Sequence, residues 1–283
     1  MTITFFRKFA APVCCWTAFA WLAAAEVPPA APPVPVEIGA AAVRAPETIR
    51  LDGVLDEAVW RSAAAGPMMF AQNFRRSPDV ADFPELLAKA DRPTGFVQAA
   101  WDDRYLYLAI RLLDGDVCSD AVEEQQHNYR MGDTAEIFLK PENAAWFWEF
   151  HVTPGGLRSV FFYPGRGRRV MPSTLPEKMP VPGFRVAVRI DGTFNNWHDT
   201  DRSWTIEMAL PREELRVDGI ALAPENPWRL LVGRYDFSWQ NPALEHSSFP
   251  QLRRADFHLH REYAFLRWLG ASGSVPAAPH DRK

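Results

Sequence analysis

Ile49-Arg-Leu-Asp-Gly-Val-Leu-Asp-Glu-Ala-Val-Trp60 is the stretch from which the fold is read. Gly53 frees a turn. Asp52 and Asp56 carry oxygens that accept backbone N–H groups at a turn and at a helix start. Trp60 then supplies a large apolar surface, suited to plug one end of a sandwich core. Three segments follow in order: Trp101-Asp-Asp-Arg-Tyr-Leu-Tyr-Leu-Ala-Ile-Arg111, Gly132-Asp-Thr-Ala-Glu-Ile-Phe-Leu139 and Trp204-Thr-Ile-Glu-Met-Ala-Leu-Pro211. Trp101 and Trp204 stand in strand patterns and are core candidates.

Strand signals dominate around these anchors. Residues 96–101 and 105–112 flank Asp102-Asp-Arg104, a short polar turn, and read as a hairpin. Residues 134–140, 146–153 and 157–163 form a second run, with Pro154-Gly155-Gly156 as a turn between the last two. Residues 184–190 broadly alternate, the pattern of a half-buried strand. Residues 203–210, 228–238 and 263–268 bring the count to nine or ten. Helix signals are few and short: residues 55–62, residues 211–215 with Pro211 at an opening position, and residues 84–90. Many evenly spaced strands with Gly, Pro and Asp turns predict an all-β antiparallel sandwich with one or two short helices.

The ends frame this domain. Arg7 and Lys8 precede an apolar run that closes on Ala23-Ala24-Ala25, so residues 1–25 read as a cleavable secretory signal, cut near Ala25. Residues 26–44, rich in Pro, Ala and Val, read as a linker or lead-in, and residues 270–283 as a tail. One domain spans residues 45–269. Loss of the signal also removes Cys14 and Cys15, so Cys118 remains alone and no internal disulfide can form. An exported chain without disulfides relies on a large core, which fits a bacterial periplasm or exterior. The net charge of −4 becomes −6 without Arg7 and Lys8, which argues against nucleic acid and anionic membrane as partners. Arg166, Arg168 and Arg169 read as a solvated loop.

In order and spacing, the four anchor segments resemble the family 9 carbohydrate-binding modules, which are β-sandwiches of immunoglobulin-like or DOMON-like type. The resemblance implies a non-catalytic module that grips a polysaccharide or oligosaccharide of xylan or cellulose kind, or a chain end, beside a glycoside hydrolase. It implies two stacking aromatics and polar side chains that bond the sugar hydroxyls. The first aromatic position falls on Arg130, with Tyr129 beside it. Glu136 matches the sugar-bonding glutamate. His151 stands where the family carries an arginine, Phe257 at the second aromatic position, and Arg254 where the family carries an amide. Asp114 and Asp116, beside Gly115, are candidate ligands for a structural calcium. Four substitutions in the frame keep open a second reading, a structural or protein-interaction sandwich with a decayed sugar site.

Other readings stay open. A glycoside hydrolase would need two carboxylates across a cleft, which spacing alone does not identify. A haem-binding module would use Met131 with His151, or Met208 with His258, and lacks a Cys-x-x-Cys-His motif. His258 and His260 are a weak zinc pair. In the loop Asp191-Gly-Thr-Phe-Asn-Asn-Trp-His198, Trp197 and Asn196 are either a ligand surface or a packed hairpin tip.

Overall fold

The computed structural model describes residues 39–62, 65–73, 92–165, 179–239, 241 and 243–274. The signal, most of the lead-in, the expected helix at 84–90, the Arg166–Arg169 cluster and the end of the tail lie outside these residues. Among the described residues no helix is long and apolar enough to cross a membrane.

Thirteen strands are present among them. The first five are β1 (Gly39–Arg44), β2 (Met68–Met69), β3 (Ala71–Gln72), β4 (Gly95–Trp101) and β5 (Tyr105–Leu113). Next come β6 (Thr134–Pro141), β7 (Phe147–Val152), β8 (Arg158–Tyr163) and β9 (Arg185–Asp191). The last four are β10 (Ser203–Pro211), β11 (Trp228–Asp236), β12 (Glu245–Phe249) and β13 (Ala264–Leu269). They hydrogen-bond in the order β8-β7-β6-β11-β13-β1-β4-β5-β10-β9, while β12 joins β11 to β3 and β2 flanks β4. This curled sheet folds on itself as a β-sandwich.

Pairing is antiparallel except at β1, which runs parallel to both β13 and β4. The sandwich is therefore mixed and not wholly antiparallel. Gly39–Arg44, which its composition assigns to a lead-in, is this strand. As the first strand among the described residues, it lies between β13 and β4. Its small residues suit that position, since Ala40 and Ala42 are fully buried in the inner core.

Period-two alternation sets the layers. Trp148 and Phe150 of β7, Ile137 and Leu139 of β6, Leu108 and Ile110 of β5, and Trp204 and Met208 of β10 all enter one inner cluster. Trp148, Trp204 and Trp228 are fully buried. At ~25 cal/mol per Å2 each contributes about 4–6 kcal/mol before ordering costs. The outer faces are covered too. One outer cluster gathers Val43, Ile49, Trp60, Ala100, Tyr107 and Ala209, and the other gathers Phe138, Phe147, Phe161, Tyr163, Leu231 and Phe257.

The entry stretch is pinned to β10. Glu207, buried on the outer face, accepts the N–H of Asp52 at 3.0 Å and of Gly53 at 2.8 Å on Oε2, and the Trp60 indole at 3.1 Å on Oε1. Gly53 has φ 78°, and a Cβ there would lie 2.8 Å from that of Arg189, so glycine is required on both counts. Asp52 accepts the Val54 N–H at 2.9 Å, as turn chemistry predicts. Asp56 does not cap: the one-turn helix α1 (Ala58–Arg61) follows Glu57, which makes no side-chain cap. Trp60 covers the outer face of the sheet and does not plug the inner core, whose volume other tryptophans fill. Residues after Pro211 form a turn, not the expected helix.

Candidate functional site

The outer face of β6, β7 and β11 carries Glu136 and His151, two of the residues singled out by the family frame. Glu136 on β6 lies opposite His151 on β7 and Gly233 on β11. Strand alternation puts Glu149 on the same face as His151. His151 Nε2 sits 2.6 Å from Glu149 Oε1 and 3.2 Å from Glu136 Oε1. Tyr129, on a 3-10 turn (Asn128–Arg130), sets its ring edge-on to His151 at 5.9 Å. Arg130 is exposed and donates from Nε to the Tyr129 hydroxyl at 3.0 Å. Glu149 is the member that the frame missed, although its i−2 spacing from His151 on a strand marks it.

These groups form a packed column and not an open slot. Glu136 is 3% exposed and His151 0%. Tyr129 and Phe257 do not face one another across a gap. Tyr235 contacts both, with ring centroids 5.3 Å from Tyr129 and 5.4 Å from Phe257. Phe257 is 4% exposed and packs on Gly233, where a Cβ would lie 2.7 Å from its ring. Arg254 is exposed and ion-paired with Asp256 at 2.6 Å. The structure thus brings Tyr129, Arg130, Glu136 and His151 together, and makes Phe257 a core residue.

Burial disfavours charge on both glutamates of the column. Glu149 is still held below the usual carboxylate range by the hydrogen bond and charge of His151. Glu136, desolvated and facing the Glu149 charge, is pushed well above it. The two carboxylates of the column thus differ in proton affinity, Glu136 holding its proton more tightly than Glu149. Met208 lies in the inner core while His258 is exposed, so that haem pairing has no common pocket.

Asp114 and Asp116, the candidate calcium ligands, are both engaged by protein groups. Asp114 Oδ2 is 2.7 Å from Nη2 of the fully buried Arg234, and its Oδ1 accepts the Asp116 N–H at 3.0 Å. Arg234 also reaches Asp236 at 3.1 Å. Asp116 Oδ2 accepts the Trp239 N–H at 2.8 Å and the Ser238 hydroxyl at 3.3 Å.

Those last bonds build a second feature. A cleft of about 610 Å3 is lined by Asp116, Cys118, Asp120, Asn195, Trp197 and Trp239, among others. Trp197 is 57% exposed and Trp239 80%. Each is fixed through its loop to the segment 115–120. Asn195 accepts the Ser119 N–H at 2.8 Å and donates to the Ser119 carbonyl at 3.0 Å. Asp201 accepts the N–H groups of Val117 and Thr193 at 2.7 and 2.6 Å. Asp133 accepts those of Cys118 and Phe237, both at 2.8 Å. The indole centroids are 5.8 Å apart and tilted by 47°. A sugar held between two parallel rings needs about 7–8 Å, two contacts of ~3.5–4 Å. The pair is therefore a tilted platform. The loop composition around Trp197 points to a ligand surface, whereas Trp239, just past a strand pattern, carries no such signal.

No protein-family model matches the sequence, and no curated protein matches it. Solved structures do match. A Bacteroides uniformis ATCC 8492 protein, provisionally named as carbohydrate-binding, is 14% identical with a TM-score of 0.55, covering 82% of this chain and 99% of that one. A family 9 carbohydrate-binding module from Caldicellulosiruptor kristjanssonii in complex with cellotriose is 11% identical, with a TM-score of 0.46 over 85% and 99% of the two chains. A family 9 module from the same organism in complex with glucose gives 10%, 0.48, 86% and 100%. At 14% identity the likeness to the Bacteroides protein is one of fold alone.

Proposed function

We propose that this is a non-catalytic carbohydrate-binding domain whose sugar-contacting surface is the Trp197–Trp239 platform. The observation that carries the reading is the pair of exposed indoles anchored at one cleft. The C–H faces of a pyranose pack on indole faces, and backbone bonds that fix both loops reduce the ordering cost of binding. The fold it shares with structures bearing carbohydrate-binding names supports the class. The finer reading is an exported domain, with residues 1–25 as its signal, that takes a xylan- or cellulose-type glycan beside a glycoside hydrolase.

Titration calorimetry tests this with xylo- and cello-oligosaccharides against wild type, Trp197→Ala, Trp239→Ala and Glu136→Ala. Saturable binding that weakens about tenfold or more in each tryptophan variant and persists in Glu136→Ala is the expected result. Loss in Glu136→Ala alone would return the site to the outer-face column. One observation favours a second reading, a structural or interaction sandwich with a decayed site: Tyr235 fills the space between Tyr129 and Phe257. A folded sample that binds no glycan would support it.

A further inference from the structure

We infer that the Trp197–Trp239 cleft selects saccharides with free amino groups, of glucosamine type, over neutral sugars, and rejects uronates. This rests on the platform being the sugar site. The argument is one of charge. Asp116 and Asp120 line the cleft. Asp114, Asp133 and Asp236 lie near enough to Cys118, another lining residue, to act on its thiol. Arg234 is the buried cation that answers this group, and its Nη2 is already shared between Asp114 and Asp236. Burial first, and after it the neighbouring Asp133, Asp116, Asp114 and Asp236, push the Cys118 thiol far up. Asp120 is exposed, and its carboxylate makes no bond to any described residue.

An ammonium group finds two complementary partners here. The electron-rich indole faces attract a cation, and Asp120 offers a charge-assisted hydrogen bond. A neutral hydroxyl gains only the stacking and an ordinary hydrogen bond. A uronate meets like charge in a partly desolvated cleft, which is costly. His198, with its ring centroid 3.8 Å from that of Trp197, covers part of one indole and leaves Trp239 as the freer face.

The test is calorimetry at about pH 5.5, where amines are protonated, with four oligosaccharides of equal length: glucosamine, N-acetylglucosamine, cello- and galacturonate. The expected result is about tenfold tighter binding of the glucosamine oligomer than of the N-acetylated and cello-oligomers, with none of the galacturonate. That advantage should fall severalfold in Asp120→Asn and in high salt, and all binding should be lost in Trp239→Ala. Equal affinity for the charged and neutral oligomers overturns the inference and leaves the sugar-binding reading intact. Glucosamine binding that survives in Trp239→Ala overturns it as diffuse surface attraction. No binding of any oligomer by folded protein overturns both.

Discussion

Replacing Glu207 by alanine should loosen the entry stretch from the sheet. The carboxylate serves three donors, and two of them, the Gly53 N–H and the Trp60 indole N–H, are buried. Each buried donor left without an acceptor costs about 1–3 kcal/mol, and the partly buried Asp52 N–H adds about 0.5–1.5. Removing the carboxylate also releases its own desolvation, which raises its proton affinity, so the net loss should be about 3–5 kcal/mol. A domain with ~5–15 kcal/mol of stability remains folded but marginal. Glu207→Gln keeps a carbonyl oxygen for the two backbone donors and turns an NH2 group toward the indole, which should cost about 1–3 kcal/mol. Urea titration by tryptophan fluorescence, at constant m-value, measures both. The sign with pH is also fixed. The folded state binds this proton more tightly than the unfolded chain, so the wild-type advantage over Glu207→Gln shrinks as pH rises from the ordinary glutamate range toward the raised folded value. An alanine variant that loses less than ~1 kcal/mol, or a glutamine variant worse than alanine, would refute the anchoring role.

Three further outcomes are expected. Arg234→Met should cost about 3–5 kcal/mol, because Asp114 is left buried without its cation; the variant should regain stability on acidification, seen as a rise in Tm. Glu136→Gln should flatten one pH dependence. Wild type loses stability as pH rises from the ordinary glutamate value to the raised value of Glu136, and the variant lacks that loss in paired urea titrations. Tyr235→Ala should cost about 2–4 kcal/mol, since its ring packs on Tyr129, His246 and Phe257. Near-ultraviolet circular dichroism should register the loosened aromatic cluster, and an unchanged spectrum with unchanged stability would contradict the packing.

Much of the sandwich is legible in the chain itself because side chains on a strand alternate. Nine strands follow from that alternation and from the turns at Asp102 and Gly155, and Asp52 and Gly53 announce a turn by their own chemistry. The short or polar strands β2, β3 and β12 leave little such signal, and β1 hides in a composition that reads as a lead-in. Its place between β13 and β4 is a long-range choice, made by small side chains that fit there.

The candidate site divides along the same line. Spacing on β6 and β7 is enough to put Glu136, Glu149 and His151 on one face, since period two decides that without further help. Whether that face meets solvent depends on what crosses it, and only the tertiary structure lays Tyr235 and Phe257 over it. The Trp197–Trp239 platform is wholly tertiary. Its two rings come from loops far apart in sequence and meet because both loops bond to the segment 115–120. Local sequence fixes the direction in which a side chain leaves its strand, while exposure and partnership depend on contacts between segments that no local pattern records.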